Sequence, residues 1–400
     1  MKSFKTLSVL IIVILIGFSN VYAQDEKDNG YEFTTIKELE ATSVKDQHRS
    51  GTCWSFSAIS FLESEMLRMG EEAADLSEMW IVRHAYSDKA RKYVRFHGNL
   101  NFAPGGAFHD VTNMIEQNGI VPERVYKGLN YGTEKHTHGE LDGVLKGYVD
   151  QVLKNRNGEL TPVWHEGVDR ILDTYLGKQP ENFTYKGKKY TPESFASEYV
   201  GINPDDYVEL SSYTHHPFYS KFILEVPDNW AYDEVYNVPM DEMMEVMYNS
   251  IEEGYTIAWA ADVSDKGFSW KNGVAIVPSK DLENLKGTEK SRWEELTEEE
   301  KQKMLYSFDG PVKEKTITQE MRQKAFNNYN TTDDHGMHIT GIAEDQEGTK
   351  YFIVKNSWSD EDHIYDGYFY ASDAYVRYKT MDIMVHKDAI PEDIAEKLGL

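Results

Sequence analysis

The chain has 400 residues, 40% hydrophobic and 28% charged, with 8 Trp, 26 Tyr and 17 Phe. That much aromatic surface needs burial, which excludes a disordered chain and leaves two or three ordinary domains or one large core with long insertions. Lys plus Arg number 42 against 68 Asp plus Glu, a formal charge of −26, so phosphate backbones and anionic lipid are repelled and no nucleic-acid partner is expected.

From the amino terminus, Lys2 and Lys5 precede the aliphatic run Val9 to Ile16, and Val21-Tyr22-Ala23 follows. Together these read as a secretory signal peptide over residues 1–23. The apolar stretch from Leu7 to Phe18 is shorter than the ~20 residues that span a bilayer. No membrane anchor is therefore expected after cleavage, and the mature protein is placed in a periplasm or outside the cell. Exported proteins normally carry disulfides, yet Cys53 is the only cysteine, which excludes an intrachain disulfide and a cysteine-based zinc cage. From Trp54 onward Phe56, Ile59, Leu62, Glu63 and Met66 predict a helix stopped by Gly70. Cys53 then sits at its first turn, where unpaired N–H groups and the helix dipole favour a thiolate. A small buried hydrophobe is the alternative, and position alone does not separate the two.

Further along, Pro104-Gly105-Gly106 precedes a helix, and the glycine pair taken alone is an ordinary loop. Residues 126–230 and 267–329 are rich in charge and Tyr, and Ser291 to Tyr306 predicts an acidic amphipathic helix. His335 opens an apolar, strand-like run, and Tyr351 to Trp358 forms a second one ending in Asn356, Ser357 and Trp358. With Asp345 to Lys350 as the turn, the two make a hairpin that can set His335 beside Asn356. A thiolate nucleophile needs an imidazole to share its proton and a group that fixes the ring. His335 and His338 lie three apart and face opposite sides of a strand. No His-Glu-x-x-His string occurs, so neither metal nor cofactor is expected, and His338 is read as structural or solvent-facing.

In this order, Gln47 with Gly51-Thr52-Cys53-Trp54, then His335-Gly336-Met337, then Asn356-Ser357-Trp358 resembles the papain-like cysteine peptidases. The chain is most similar to the bleomycin hydrolase/aminopeptidase C branch, whose His-Ala-Met-x-x-Thr-Gly run matches His335 to Gly341 with Gly336 in place of Ala. The resemblance implies an α+β, two-lobed fold with large helical insertions. A helical lobe over 24–125 would carry Cys53, 126–230 would be inserted, and an antiparallel β-barrel-like lobe over 231–400 would carry His335 and Asn356, with further helical insertion near 267–329. It implies Cys53 as nucleophile, His335 as general base, Asn356 as orienting group, Trp358 as its shield, and Gln47 as oxyanion donor with the Cys53 backbone N–H. Gly105 and Gly106 would let the backbone of a peptide substrate approach. The large insertions in that branch also support a homo-oligomer.

Some features depart from the branch. Papain-type enzymes place His about 130–150 residues after Cys, whereas 282 residues separate Cys53 from His335. The family's extended carboxyl-terminal arm is missing or very short after Ile390 to Leu400, so cuts within longer peptides are expected beside aminopeptidase activity. Ser359 follows Trp358 where the family usually has Gly. A catalytically silent binding or scaffold protein is the competing reading.

Overall fold

A computed structural model describes residues 30–279, 293 and 295–400. The expected signal segment over 1–23, and most of the first part of the helix expected from Ser291, lie outside the described residues.

Strand β1 (Thr34–Glu38) leads into α1 (Cys53–Arg68), α2 (Glu78–Arg95) and α3 (Phe108–Asn118). Helices α4 (Gly139–Leu153) and α5 (Trp164–Leu176) precede the hairpin β2 (Phe183–Tyr185) and β3 (Lys188–Tyr190), then the single turn α6 (Pro192–Phe195). Next come β4 (Tyr207–Ser211), β5 (Lys221–Ile223), β6 (Glu234–Asn237), α7 (Met240–Glu253), β7 (Ile257–Ala261), β8 (Phe268–Ser269) and β9 (Val274–Ala275). The chain continues through α8 (Glu298–Leu305), α9 (Gln319–Asn327), β10 (His335–Glu344), β11 (Lys350–Lys355) and β12 (Tyr368–Ser372). It closes with α10 (Asp373–Lys379), β13 (Thr380–His386) and α11 (Glu392–Leu398). Of the acidic helix expected over 291–306, α8 is the well-formed part, capped by the Thr297 hydroxyl accepting from the Glu300 N–H at 3.2 Å.

α1 is buried nearly all round, as its apolar residues on more than one face require. Phe56, Ile59, Phe61, Leu62 and Met66 are all in the core, and each such side chain contributes ~1.5–3 kcal/mol relative to exposure. Its buried polar groups are paired rather than excluded. Ser55 Oγ donates to the Glu78 carbonyl at 2.9 Å, and Glu63 accepts from the Leu76 N–H at 2.8 Å and from Lys45 Nζ at 3.1 Å. The helix stops at Gly70, which takes φ of 81°.

Two main apolar cores lie on either side of one large sheet. Residues of α1 to α5, the β2–β3 hairpin and α6 form the first, and α7, α10 and α11 pack on the strands to form the second. The strand order is β5-β6-β4-β13-β7-β10-β11-β12-β9-β8, with β1 added to β10. Ala258 and Met384 face the helical core, while Ile257, Trp259, Ile383 and Val385 point into the second, the alternation expected of strands covered on both faces.

The fold is therefore α+β with a helical and a sheet-based lobe, but the expected antiparallel barrel is corrected. Among the described residues the sheet is open, ending at β5 and β8, and it is mixed, because β4 pairs with β6 and β9 with β12 in parallel. Helices cover both faces, so the sheet has no single interior to close around. The segment 126–230 divides between the lobes, with α4, α5 and the small hairpin in the helical core and β4 and β5 in the sheet. Among the described residues no helix is long and apolar enough to cross a membrane.

Candidate active site

Cys53 is the first residue of α1, at the seam between the lobes. The loop ahead of it is stapled by its own hydroxyls. Ser50 Oγ donates to the Gln47 carbonyl at 2.9 Å and lies 2.5 Å from Thr52 Oγ1. Gln47 is buried, its backbone N–H donates to the Ser357 carbonyl at 2.9 Å, and its Oε1 accepts from Ser357 Oγ at 2.7 Å. With the oxygen so engaged, the amide is oriented and its Nε2 is left as a donor.

β10 and β11 are an antiparallel hairpin in which His338 opposes Lys355 and Ile339 opposes Val354. That register brings His335 and Asn356 into contact, with His335 Nε2 2.7 Å from Asn356 Oδ1. The same oxygen accepts from the Ser357 N–H at 2.8 Å. An amide oxygen can only accept, so Nε2 carries the proton and Nδ1 is the basic nitrogen. Trp358 stacks on the His335 ring at 4.6 Å and 27°. Trp270 meets Trp358 edge-on at 5.1 Å, and Phe268 does so at 5.9 Å.

Cys53 and His335 line one cleft, with Gly106, Phe108, Leu224, Asp228 and Asp333 among its walls. β10 packs closely on α1 here: a Cβ at Gly336 would lie 2.7 Å from Ser57 Oγ and 3.3 Å from the Trp54 Cα. This accounts for glycine at the position where the related run has alanine. Gly106 is among the residues that line the cleft, and Gly105 is not. A Cβ at Gly106 would come within 2.9 Å of the Trp54 ring, and one at Gly105 within 1.9 Å of Asp228 Oδ2. Packing against the Trp54 ring thus favours glycine at 106, whereas at 105 the Asp228 carboxylate would have to move aside.

Cys53 is partly exposed to the cleft, yet its surroundings are dense enough for burial to dominate the thiol. Burial pushes it up to about 12; backbone hydrogen bonds from Gly336 and Trp54 oppose this, and Asp333 and Asp228 add to it. Burial pushes His335 down to about 4 against the Asn356 hydrogen bond. Both shifts favour the neutral forms of the two groups in the unliganded cleft. Burial and the two carboxylates thus act against the helix end, which favours a thiolate.

His338 is fully buried on the opposite face of β10, its Nδ1 2.9 Å from Ser60 Oγ. Of the two expectations for it, the solvent-facing one is excluded. Sequence reasoning missed the Ser357 link to Gln47 and the Phe268 and Trp270 layer behind Trp358, since those contacts join segments far apart in the chain. It also missed the trio His215, His216 and Glu225, whose ligand atoms lie within 4.8 Å of one another. Both rings sit 2.8 Å from the Glu225 carboxylate; adjacent histidines with a distant Glu give no spacing signal.

Two lobes meeting at such a cleft are the architecture of papain-like cysteine peptidases. The chain belongs to the Peptidase C1-like family, whose pattern matches residues 72–302 and 305–399 and so takes in His335 and Asn356 but begins after Cys53. It is similar to aminopeptidase C of Streptococcus thermophilus, 23% identical with 91% of this chain and 84% of the relative covered. To bleomycin hydrolase of Homo sapiens it is 24% identical, with 89% and 82% covered. It shares its fold with PepW from Lactobacillus rhamnosis at a TM-score of 0.68 and 19% identity, covering 92% of this chain and 84% of that one.

Proposed function

We propose that the protein hydrolyses peptide bonds by thiol nucleophilic catalysis with Cys53, His335 and Asn356. The observation that carries this is the His335 Nε2 to Asn356 Oδ1 hydrogen bond at 2.7 Å, which leaves Nδ1 as the base in the cleft that Cys53 lines. In the acylation step the Cys53 thiol proton passes to His335 Nδ1 as Sγ attacks the peptide carbonyl carbon. Gln47 Nε2 and the Cys53 N–H donate to the developing oxyanion, one such donor lowering the barrier by about 2.7–4 kcal/mol. The C–N bond then breaks, and the departing amine takes the proton from His335. Water, giving a proton to Nδ1, attacks the thioester carbon, and the acid leaves as the thiol is restored.

Trp358 shields the His335–Asn356 hydrogen bond from water, and the Gly106 backbone offers the substrate a surface without a Cβ. Relatives named aminopeptidases make a free amino terminus the first substrate class to test. Acceptance of blocked peptides is also part of the proposal, and turnover of peptides with an acetylated amino terminus tests it. Export rests on the Lys2 to Ala23 pattern and is read by amino-terminal sequencing of the exported protein, with Gln24 first. A homo-oligomer is read by light scattering of the mature chain. The test of the activity is turnover of fluorogenic peptides under reducing conditions. Loss of turnover on thiol alkylation and indifference to chelator support the reading; a chelator-sensitive activity indifferent to alkylation overturns it.

A further inference from the structure

The connection between β4 and β5 carries His215 and His216, and Glu225 stands two residues after β5 ends at Ile223. Each imidazole meets its own oxygen of that carboxylate. His215 Nε2 lies 2.8 Å from Oε2, and His216 Nε2 lies 2.8 Å from Oε1. One ligand atom from each side chain thus falls within 4.8 Å of the other two, the only such trio of His, Cys, Asp or Glu among the described residues.

The trio is held from behind. Asn237 is fully buried, and its Nδ2 donates to the carbonyls of Tyr213 and His216 at 2.8 and 3.0 Å. Its Oδ1 accepts from the Tyr213 N–H at 2.9 Å, so the backbone that carries both histidines is fixed. The His216 ring stacks on Phe222 at 4.7 Å and 28°, and the His215 ring on Phe326 at 5.5 Å and 14°. Gln323, on α9, sets its amide against His215 Nδ1, with Nε2 at 3.0 Å and Oε1 at 3.4 Å. A metal-bound ring carries its proton on Nδ1, and an amide oxygen is a partner for that proton. The same oxygen accepts from the Thr214 N–H and hydroxyl, and the hydroxyl of this exposed residue can turn to water instead. Among the described residues no Lys or Arg pairs with Glu225; the two histidines do. Burial would raise the Glu225 carboxyl, but hydrogen bonds from His216 and His215 outweigh it and hold the group below its usual value.

We propose that His215 Nε2, His216 Nε2 and the Glu225 carboxylate bind a divalent transition cation of the zinc type, with a fourth position left to water. Imidazole nitrogens suit zinc, nickel and copper, whereas magnesium and calcium take oxygen ligands. Two histidines, one carboxylate and a water complete a four-coordinate zinc site. On binding, each ring carries its proton on Nδ1 and turns the Nε2 lone pair to the metal, and the ring-to-carboxylate hydrogen bonds give way to coordination. The formal charge of −26 draws cations to the surface of this chain. Because the backbone and rings are already braced, little ordering is lost when the cation binds. Glu225 is exposed, and it stands between Leu224 and Val226, which together with Asp228 line the cleft of Cys53 and His335. The cation therefore clips the β4–β5 connection to one wall of the cleft from its solvent side. It takes no part in the reaction at Cys53, and the proposal stands whether or not the peptidase reading holds.

The experiment is calorimetric titration of the mature chain with zinc chloride and, separately, magnesium chloride. It is run in the Cys53→Ala background, so that the thiol cannot take the metal. The parent is expected to bind one equivalent of zinc with a Kd of about 10 μM or tighter, and to bind magnesium at least about a hundredfold more weakly. Adding Glu225→Gln or His216→Ala is expected to weaken zinc binding by at least about tenfold each. Melting temperatures without metal verify that both variants fold, and His215→Ala replaces either one that does not. Zinc should also raise the melting temperature of the parent, and raise that of each variant less at the same concentration. Absent zinc binding in the parent, equal affinity for zinc and magnesium, or zinc affinity undiminished in either variant overturns the proposal.

Discussion

The two faces of β10 each hold a buried histidine, His335 and His338, three residues apart, and they treat the ring differently. On the cleft face, His335 has an amide fixing one nitrogen, an indole stacked over it, and Cys53 across the same cleft. On the α1 face, His338 meets Ser60 and the edge of Phe61, and its Nε2 has no partner. Burial lowers the pKa of both, and Lys355 lowers that of His338 further. A depressed pKa therefore does not distinguish a base from a core residue. An oriented ring with one basic nitrogen open to a nucleophile does.

The largest effects should come from substitutions that collapse this contrast. Cys53→Ala and His335→Ala are each expected to lower kcat/KM by at least about 10³-fold. His338→Ala should keep kcat/KM within about tenfold and instead lower stability by roughly 1–3 kcal/mol, as denaturant unfolding would read. If His338→Ala folds and abolishes turnover while His335→Ala does not, the two faces have been assigned the wrong way round. Next in size is Gln47→Ala, expected to lower kcat by about 10²–10³ with little change in KM. Ser357→Ala, which frees the Gln47 amide, should cost less, about two- to tenfold.

The cleft face also sets the pH response. His335 is depressed to about 4, so it remains a free base down to that pH and loses this role only below it. The acid limb of kcat/KM is accordingly expected near pH 4, well below the ~6.5 of an ordinary histidine. A limb at 6 to 7 that moves with substitution of His335 would contradict the burial argument. The smallest effect concerns stability. Asp333 is raised to about 7, so the folded state binds its proton more tightly than the unfolded state does. Its contribution is present at low pH and is lost as the pH rises from about 4 through 7. Asp333→Asn should therefore gain melting temperature relative to wild type at pH 8 and not at pH 4. Equal differences at both would rule out a raised carboxyl.

The α1 helix, the β10–β11 hairpin and the order of Gln47, Cys53, His335 and Asn356 were readable because each rests on local pattern or motif. The open, mixed sheet was not readable. Its edge strands β8 and β9 are two residues each and join through parallel and long-range pairings that carry no local signature. The groups that act against a thiolate at Cys53 were not readable for a similar reason. Helix position is visible in the sequence, whereas Asp228 and Asp333 reach the thiol from distant segments. The Ser357 hydroxyl on Gln47 joins residues 310 apart, and only the closed cleft shows it.

The most direct test is to mix protein and peptide ester, quench in acid, and locate any acyl group by mass spectrometry of the digested chain. The account predicts an acyl adduct on the peptide containing Cys53 in wild type and none in Cys53→Ala. In His335→Ala the adduct should form far more slowly, and in His338→Ala at close to the wild-type rate. Sustained hydrolysis without an adduct on Cys53, or with an adduct on another side chain, would contradict it.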